Sequence, residues 1–550
     1  MHRHCRWLGL GIFLAALVGV ALVRGQQAAP PAGGEAASDL PPVPKGVEVL
    51  ARGPVHEAFA SLTAEPVPTK AVAKKPPQAL DELPPEQKPE GDAIWIGGYW
   101  HWDDDRNDYL WVTGIWRVVP PGKQWVAGYW REDGEKWQWV PGYWTAAPAK
   151  QEATQQVTYM PEPPKTPDIA APGEPPAADT FWVPGCWEWR GGAYVWRAGY
   201  WARVQPGYVW VAAHYRWTPG GYIYIPGYWD LAIKARGVMY APVAVDTAVV
   251  GTTFVYTPVY VVPETVVVDA FFVRPCYCHY YFGDYYAPVY REYGFQSTIV
   301  YSRSHYDSVI VYERWERRSD PTWFSVQVDI YSGRSAGRLP TPPRTLVQQN
   351  TIIQNNVTNV TNVTNVTNVT NVNNTTNVSN TQMIMPASKL AAAKGVKMVS
   401  LDSTARAQAR QQAQAIQQVA VQRVQAEKPV GGAAASQPRT ASLSVPKPQP
   451  VGPRTTASTG PTRTGTGITA GGPKTGSTGI RQTSGTSGTR PNGQTGRMPN
   501  GTQPGVTNRA GQPPRGQQVH TPPPQPNRQP PPRTDSKSDK EKDKKKPQDR

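Results

Sequence analysis

From residue 94 to residue 230 the chain carries aromatic residues at fixed offsets, with turn residues between them. WIGGYW begins at Trp95, WVTGIW at Trp111, WVAGYW at Trp125 and WVPGYW at Trp139. After a Pro-rich break, WVPGCW begins at Trp182, WRAGYW at Trp196, WVAAHY at Trp210 and YIPGYW at Tyr224. The starts step by 16, 14 and 14 residues in the first block and by 14 throughout the second, which marks an internal repeat. Alternation such as Tyr194-Val195-Trp196 and Trp187-Glu188-Trp189 has a period of two and predicts short strands with their aromatics on one face. Trp139 and Trp144 are five apart and would point to opposite faces of an unbroken strand. Pro141-Gly142 is therefore expected to form a tight turn or a bulge. Further turns are expected at Asp133-Gly134, Arg190-Gly191-Gly192 and Pro219-Gly220-Gly221.

The residue two before the motif is often aromatic as well, as at Tyr109, Trp137, Tyr194, Tyr208 and Tyr222. The unit Y-x-W-V-x-G-Y-W resembles the YXWGXW (or WXXGXW) repeat family of exported bacterial proteins. The resemblance spans Trp95 to Trp229 and implies export and a repetitive body, and it brings no activity with it. The sequence departs from the pattern at Ala213, where Gly is expected, and at Tyr215 and Tyr224, where Trp is expected.

The expected fold is mainly β: an antiparallel meander of Trp-rich repeats plus a further β-rich region, followed by a long disordered C-terminal tail with one short helix. Residues 1–25 are read as a signal peptide and 26–90 as a Pro/Ala-rich disordered spacer. Repeat block 1 covers 91–145, a linker 146–180 and repeat block 2 181–230. Between 231 and 335, Val/Tyr-rich runs predict further strands at Thr253–Tyr256, Thr265–Val268, Thr298–Tyr301, Val309–Tyr312 and Phe324–Ile330. Residues 336–385 hold an Asn-Val-Thr low-complexity segment, read as a polar linker or a stalk that assembles several chains. Residues 386–428 hold a helix over 403–427, with Asp402 or Ser403 as its cap and Pro429 as its stop. Its thin stripe of Ala405, Ala409, Ala413, Ile416, Ala420 and Val424 suits a weak coiled coil. Residues 429–550 read as a basic disordered tail.

Composition sharpens this division. Of 21 Trp, 18 lie between Trp95 and Trp229 and none lies beyond Trp323, so a single compact 550-residue enzyme is excluded. The net charge is +16, and 19 Lys/Arg against 5 Asp/Glu in residues 429–550 place most of it in the tail. His2, Arg3, His4 and Arg6 precede an uncharged run from Trp7 to Val23, with a cut expected before Gln26. An uncleaved anchor is the alternative. No later segment is long and apolar enough to span a membrane as a helix. The expected location is therefore outside the cytoplasm: the periplasm, the outer-membrane surface or the extracellular space. Cys186, Cys276 and Cys278 remain after the signal and allow at most one internal disulfide.

No nucleophile elbow, zinc-protease motif, phosphate loop or dinucleotide fingerprint is present. Neither a cofactor nor a metal is expected. Cys276-Tyr277-Cys278-His279 places three soft ligands in four residues, but adjacent Cys278 and His279 aim poorly at one ion. A reduced thiol pair, or a bond to Cys186, is the plainer reading. Asp103, Asp104 and Asp105 are expected to be a solvated inter-unit turn. Most repeat rings are expected to form the core, leaving the less regular Trp102, Trp137, Trp189 and Trp217 as candidate exposed contacts to glycans. The basic tail suits anionic envelope polymers, and export argues against nucleic acid. These features point to a non-enzymatic exported envelope protein acting as a structural or interaction module. A glycan-binding module is the alternative, and protein partners or self-association through the Asn-Val-Thr segment and helix are open to it.

Overall fold

The computed structural model describes residues 40–148, 154–167, 173–362, 382–394 and 397–452. All belong to a compact unit ending at residue 460. The signal segment, most of the Asn-Val-Thr run and the tail beyond residue 452 lie outside the described residues.

The eight repeat units pair two by two into four antiparallel hairpins. In hairpin 1 (94–117), strands Tyr99–Asp103 and Asp108–Val112 place Trp100 opposite Trp111, while Ile94–Ile96 and Ile115–Arg117 place Trp95 opposite Trp116. Hairpin 2 (123–146) sets Trp130 opposite Trp139 and Trp125 opposite Trp144. Hairpin 3 (180–203) sets Trp187 opposite Trp196 and Trp182 opposite Trp201. Hairpin 4 (208–231) sets Tyr215 opposite Tyr224 and Trp210 opposite Trp229. The expected hairpin turns form where Gly allows them. In hairpin 3 both loop residues, Gly191 (φ 58°) and Gly192 (φ 85°), are left-handed, as a two-residue turn of this kind requires.

The Pro141-Gly142 position is neither a tight turn nor a bulge. A bulge adds a residue to one strand only. Here two residues drop out of the ladder on both strands at once: 127–128 with 141–142, and equivalently in the other three hairpins. The inner and outer halves of each hairpin thus become separate strand pairs, so the two aromatics of one unit never share a strand.

Several segments outside the repeats are folded where irregular chain was expected. Residues 40–90 contribute Val49, Ala51, Val55, Ala58, Phe59, Leu62 and Val72 to the main core. From the linker, Gln155–Met160 is a strand paired with Gly221–Ile225 and with Arg439–Leu443, so the first part of the basic tail is also in the sheet. These segments are extended and rich in Pro or small residues, and they gain order from partners that their own composition does not reveal.

In the 231–335 region, only the first of the five expected strands has strand character, at Val255–Tyr256. The other four runs are helical: Glu264–Asp269, Thr298–Tyr301, Ser308–Glu316 and Trp323–Ser335. Caps and packing override the β preference of Val and Tyr. Asp307 caps one helix by accepting from the Ile310 N–H, and Val268, Ile299, Ile310 and Trp323 close a small core of their own. Strands Gly237–Tyr240, Tyr260–Val262, Phe271–Arg274 and His279–Phe282 carry the β part of the region.

The helix Ser403–Ala426 forms as expected, with Asp402 accepting from the Ala405 N–H. Its apolar stripe packs on the chain's own repeats at Trp95 and Trp116, in a cluster that also holds Leu390 of the helix Ala387–Lys394. Ala409, Ala413, Ile416, Val419 and Arg423 are buried, while Val424 is exposed.

Candidate functional site

Each cross-strand aromatic pair is packed edge to face or tilted. The centroids of Trp95–Trp116, Trp100–Trp111, Trp125–Trp144 and Trp130–Trp139 lie 5.2, 5.2, 5.2 and 5.7 Å apart. Trp182–Trp201, Trp187–Trp196, Trp210–Trp229 and Tyr215–Tyr224 follow at 5.4, 5.1, 5.0 and 5.2 Å. Such pairs contribute about 0.5–1.5 kcal/mol each beyond area burial.

The motif glycine exists for the ring across the hairpin. A Cβ on Gly98 would lie 2.7 Å from Trp111, and on Gly114 2.5 Å from Trp95. The same contact pairs Gly128 with Trp139, Gly142 with Trp125, Gly185 with Trp196, Gly199 with Trp182 and Gly227 with Trp210, all at 2.3–2.5 Å. The atom met at these five is Cζ2 of the indole, which a phenol ring lacks. The eighth position is Ala213, and by register it faces Tyr224. The three departures from the motif therefore sit together: Tyr224 leaves room for the Ala213 methyl, and Tyr215 is the cross-strand mate of Tyr224.

The corner peptide also presents hydrogen-bonding groups. In hairpin 1 the Glu82 carboxylate is buried against it. Oε1 accepts from Trp111 Nε1 (3.1 Å) and the Gly114 N–H (3.0 Å), and Oε2 accepts from the Gly98 N–H (3.0 Å). In hairpin 2 Glu57 occupies the equivalent place, with Oε1 accepting from Trp139 Nε1 (2.8 Å) and Oε2 from the Gly142 N–H (2.9 Å). Trp-x-x-Gly is thus a two-pronged receptor: the indole N–H of one residue and the backbone N–H three residues on grip a single carboxylate. Burial pushes the Glu82 carboxyl up to about 7, against the pull of its N–H donors.

The carbonyl of the same corner peptide faces the other way. Arg423 Nη1 donates to Ala127 O (2.7 Å) and Pro141 O (3.1 Å), the carbonyls that precede the two glycines of hairpin 2. Its guanidinium lies 5.0 Å from both Tyr129 and Tyr143 and pairs with Glu427. In hairpin 1, His56 Nε2 lies 3.2 Å from Gly97 O. One face of the corner holds an anion, the other a cation or a polar ring.

A family model described as a WXXGXW repeat (2 copies) matches residues 94–117, 125–145, 181–202 and 206–230. The repeat region belongs to the WXXGXW family. Each matched stretch falls on one hairpin, so two copies of WXXGXW make one structural unit. No curated protein and no solved structure matches the chain.

The aromatics proposed as glycan contacts stand apart from the WXXGXW rings in different degrees. Trp102 is buried, edge-on to Tyr109 and part of the main core, so it cannot meet a sugar face. Its edge-on neighbour Tyr109 is held from residues 40–90, where Lys74 O accepts from the Tyr109 hydroxyl. Trp137, Trp189 and Trp217 are half-buried. Lys75 lies over Trp137 at 5.4 Å, Arg131 over Trp217 at 5.9 Å, and Trp189 packs edge-on to Tyr194 at 5.0 Å.

Cys186, Cys276 and Cys278 are all free thiols, so the bond to Cys186 does not form. Cys276 is exposed and Cys278 buried. His279 turns inward, its Nε2 3.2 Å from Glu57 Oε1 and 3.1 Å from the Tyr99 hydroxyl. Among the described residues no cluster of His, Cys, Asp and Glu is arranged to hold a metal. The acidic turn is not a solvated loop. Asp104 pairs with Arg274 (2.5 Å) and Lys70 (3.1 Å), and Asp105 with Arg52 (2.6 Å), which fastens hairpin 1 to three distant segments.

Sequence reasoning missed Glu57, Glu82 and Arg423, the three charged residues that engage the corners. Two lie in the stretch that reads as spacer, and none carries a motif.

Proposed function

We propose that this chain is a non-enzymatic, exported envelope protein whose repeat body is an interaction module and whose basic tail associates with anionic envelope polymers. The observation that carries the module reading is the shared role of Glu57 and Glu82. Two unrelated segments reach the repeats and are held in the same way by Trp-x-x-Gly. A motif that captures glutamate carboxylates from other segments of its own chain is suited to capturing them from elsewhere. The tail reading rests on its charge: 19 basic against 5 acidic residues, with no acidic residue from 429 to 534. Export rests on the N-terminal basic cluster and apolar run.

The half-buried Trp137, Trp189 and Trp217 favour a second reading, in which the body stacks on glycans. One experiment separates the two. The full chain and a chain ending at residue 460 are co-sedimented with peptidoglycan and with lipopolysaccharide, while Trp emission is recorded. Salt-sensitive retention that is lost with the tail supports the proposal. Retention by the truncated chain with a saturable emission shift, abolished by Trp189→Ala, would favour the glycan reading. Retention in the cytoplasm of cells expressing the full chain would overturn export.

A further inference from the structure

Hairpin 3 has the same receptor as hairpins 1 and 2, and no carboxylate of the described residues occupies it. Trp196 and Gly199 stand where Trp111 and Gly114 hold Glu82, and where Trp139 and Gly142 hold Glu57. Gly185 and Trp182 supply the partner unit's donors. Among the described residues no carboxylate bonds to these groups, and Trp182 Nε1 is enclosed without a hydrogen-bond partner. Hairpin 1 also leaves one indole, Trp95 Nε1, without a partner, but its second indole is bound to Glu82. In hairpin 3 neither Trp182 Nε1 nor Trp196 Nε1 has an acceptor among the described residues, while Trp187 Nε1 reaches Lys165 O.

Hairpin 4 is a poorer candidate. Tyr224 has no indole N–H, Ala213 replaces the glycine, and the helix Ser308–Glu316 covers one end through the Tyr312 hydroxyl on the Gly207 N–H.

Charge and exposure single out hairpin 3 as well. Over 180–203 it carries Arg190, Arg197 and Arg203 against Glu188 alone. Hairpin 1 carries more acidic than basic residues, and hairpins 2 and 4 carry equal numbers. Tyr200 and Val195 are 41% and 46% exposed, and the Arg190 and Arg203 side chains point largely into solvent.

We propose that hairpin 3 is a docking site for an extended acidic peptide of a partner protein, whose glutamate carboxylate is held by the Trp196 indole N–H and the Gly199 N–H. The exposed arginines then meet the flanking acidic residues and raise the rate of encounter. The occupant is a peptide because both carboxylates already bound to this motif are polypeptide side chains. It is extended and acidic because Glu82 sits on the short strand Asp81–Glu82, near Glu86. The inference deepens the interaction-module reading and rests on it.

The test uses the full chain and a fluorescent peptide copying residues 77–87, which contains Glu82. Trp196→Phe removes the indole N–H and keeps an aromatic ring opposite Trp187; near-UV circular dichroism checks that the fold is unchanged. Saturable binding is expected, weakened about tenfold or more by Trp196→Phe and by Glu82→Gln in the peptide, the loss that follows from removing a hydrogen bond to a charged group. Absence of binding, or equal binding to wild type and Trp196→Phe, would overturn the proposal. Binding of a soluble polyuronate with no binding of the peptide would overturn it in favour of a carboxylated glycan. Sedimentation of the tail with lipopolysaccharide is independent of Trp196, so failure of the peptide test and failure of the tail reading are told apart.

Discussion

Hairpins 1 and 3 share the same motif, the same register and the same edge-to-face pairs, and differ in what surrounds them. In hairpin 1, Trp95, Trp100, Trp111 and Trp116 are at most 4% exposed. Residues 40–90 cover them: Trp100 Nε1 donates to Gln78 O, Trp116 Nε1 to Gln87 O and Trp111 Nε1 to Glu82. In hairpin 3 the rings of Trp182, Trp187, Trp196 and Trp201 are half-buried, and Trp187 Nε1 reaches a single carbonyl, Lys165 O, at 3.3 Å. The comparison separates two functions of tryptophan in one repeat. Cross-strand pairing and the glycine contact assemble the hairpin locally. Burial of the outer faces is supplied by segments far away in the chain.

The largest difference is expected from deleting equivalent rings. Trp111→Ala should cost about 3–5 kcal/mol in urea unfolding, because a fully buried ring and its cross-strand pair are lost. Trp196→Ala, half-buried, should cost less than half as much. Equal costs would show that burial does not distinguish the hairpins.

Next comes the carboxylate. Glu82→Ala leaves one indole N–H and two glycine N–H groups buried without acceptors, and is expected to cost about 3 kcal/mol. No counterpart for this substitution exists among the described residues around hairpin 3. A loss under about 1 kcal/mol would mean that the corner donors find water instead.

A smaller effect tests the contact between ring and glycine. Tyr224→Trp alone should cost about 2 kcal/mol by driving Cζ2 into the Ala213 methyl. Adding Ala213→Gly should restore most of it, and a double-mutant cycle reads the coupling. Purely additive losses would refute the compensation.

The pH response is the last. His56 and His214 are fully buried and pushed down to about 3, chiefly by burial, and His101 and His279 are lowered for the same reason. A lowered folded-state pKa means that their stabilising effect is complete above about pH 6.5 and is lost as pH falls toward about 3. Glu82, raised to about 7, and Asp307, raised to about 6, act in the opposite sense. Their stabilisation is present below the ordinary carboxyl range and is lost as pH rises toward those values. Asp103 and Glu313 are raised by burial as well, whereas Asp104, Asp105, Glu316 and Asp320 are lowered and act with the histidines, so a net loss on acidification is expected. None of these histidines lies in hairpin 3, so its Trp pairs should be the last to respond when followed by exciton circular dichroism.

Much of the repeat architecture is legible in the residues. Period-two aromatics, Gly-containing turns and the 14-residue step lead directly to antiparallel pairs. The helix over 403–427 is equally legible from its cap and stop. The runs Thr298–Tyr301 and Val309–Tyr312 mislead, because the β preference of Val and Tyr gives way where packing, and in Ser308–Glu316 the Asp307 cap, favours a helix. Residues 40–90 read as spacer because Pro, Ala and Glu lack a periodic pattern, although Glu57 and Glu82 complete the site.

The sequence by itself determined the repeat, its short strands and the turns between units, because period-two aromatics and Gly-containing turns are local signals. That the ladder opens at Pro141-Gly142 and that glycine lies under the opposing ring only the structure decided. Tertiary structure alone decided which hairpins are sealed and which stays open. The partners of the corner peptides come from residues 57, 82 and 423, and a carboxylate or guanidinium brought from so far along the chain leaves no local periodicity by which to recognise it.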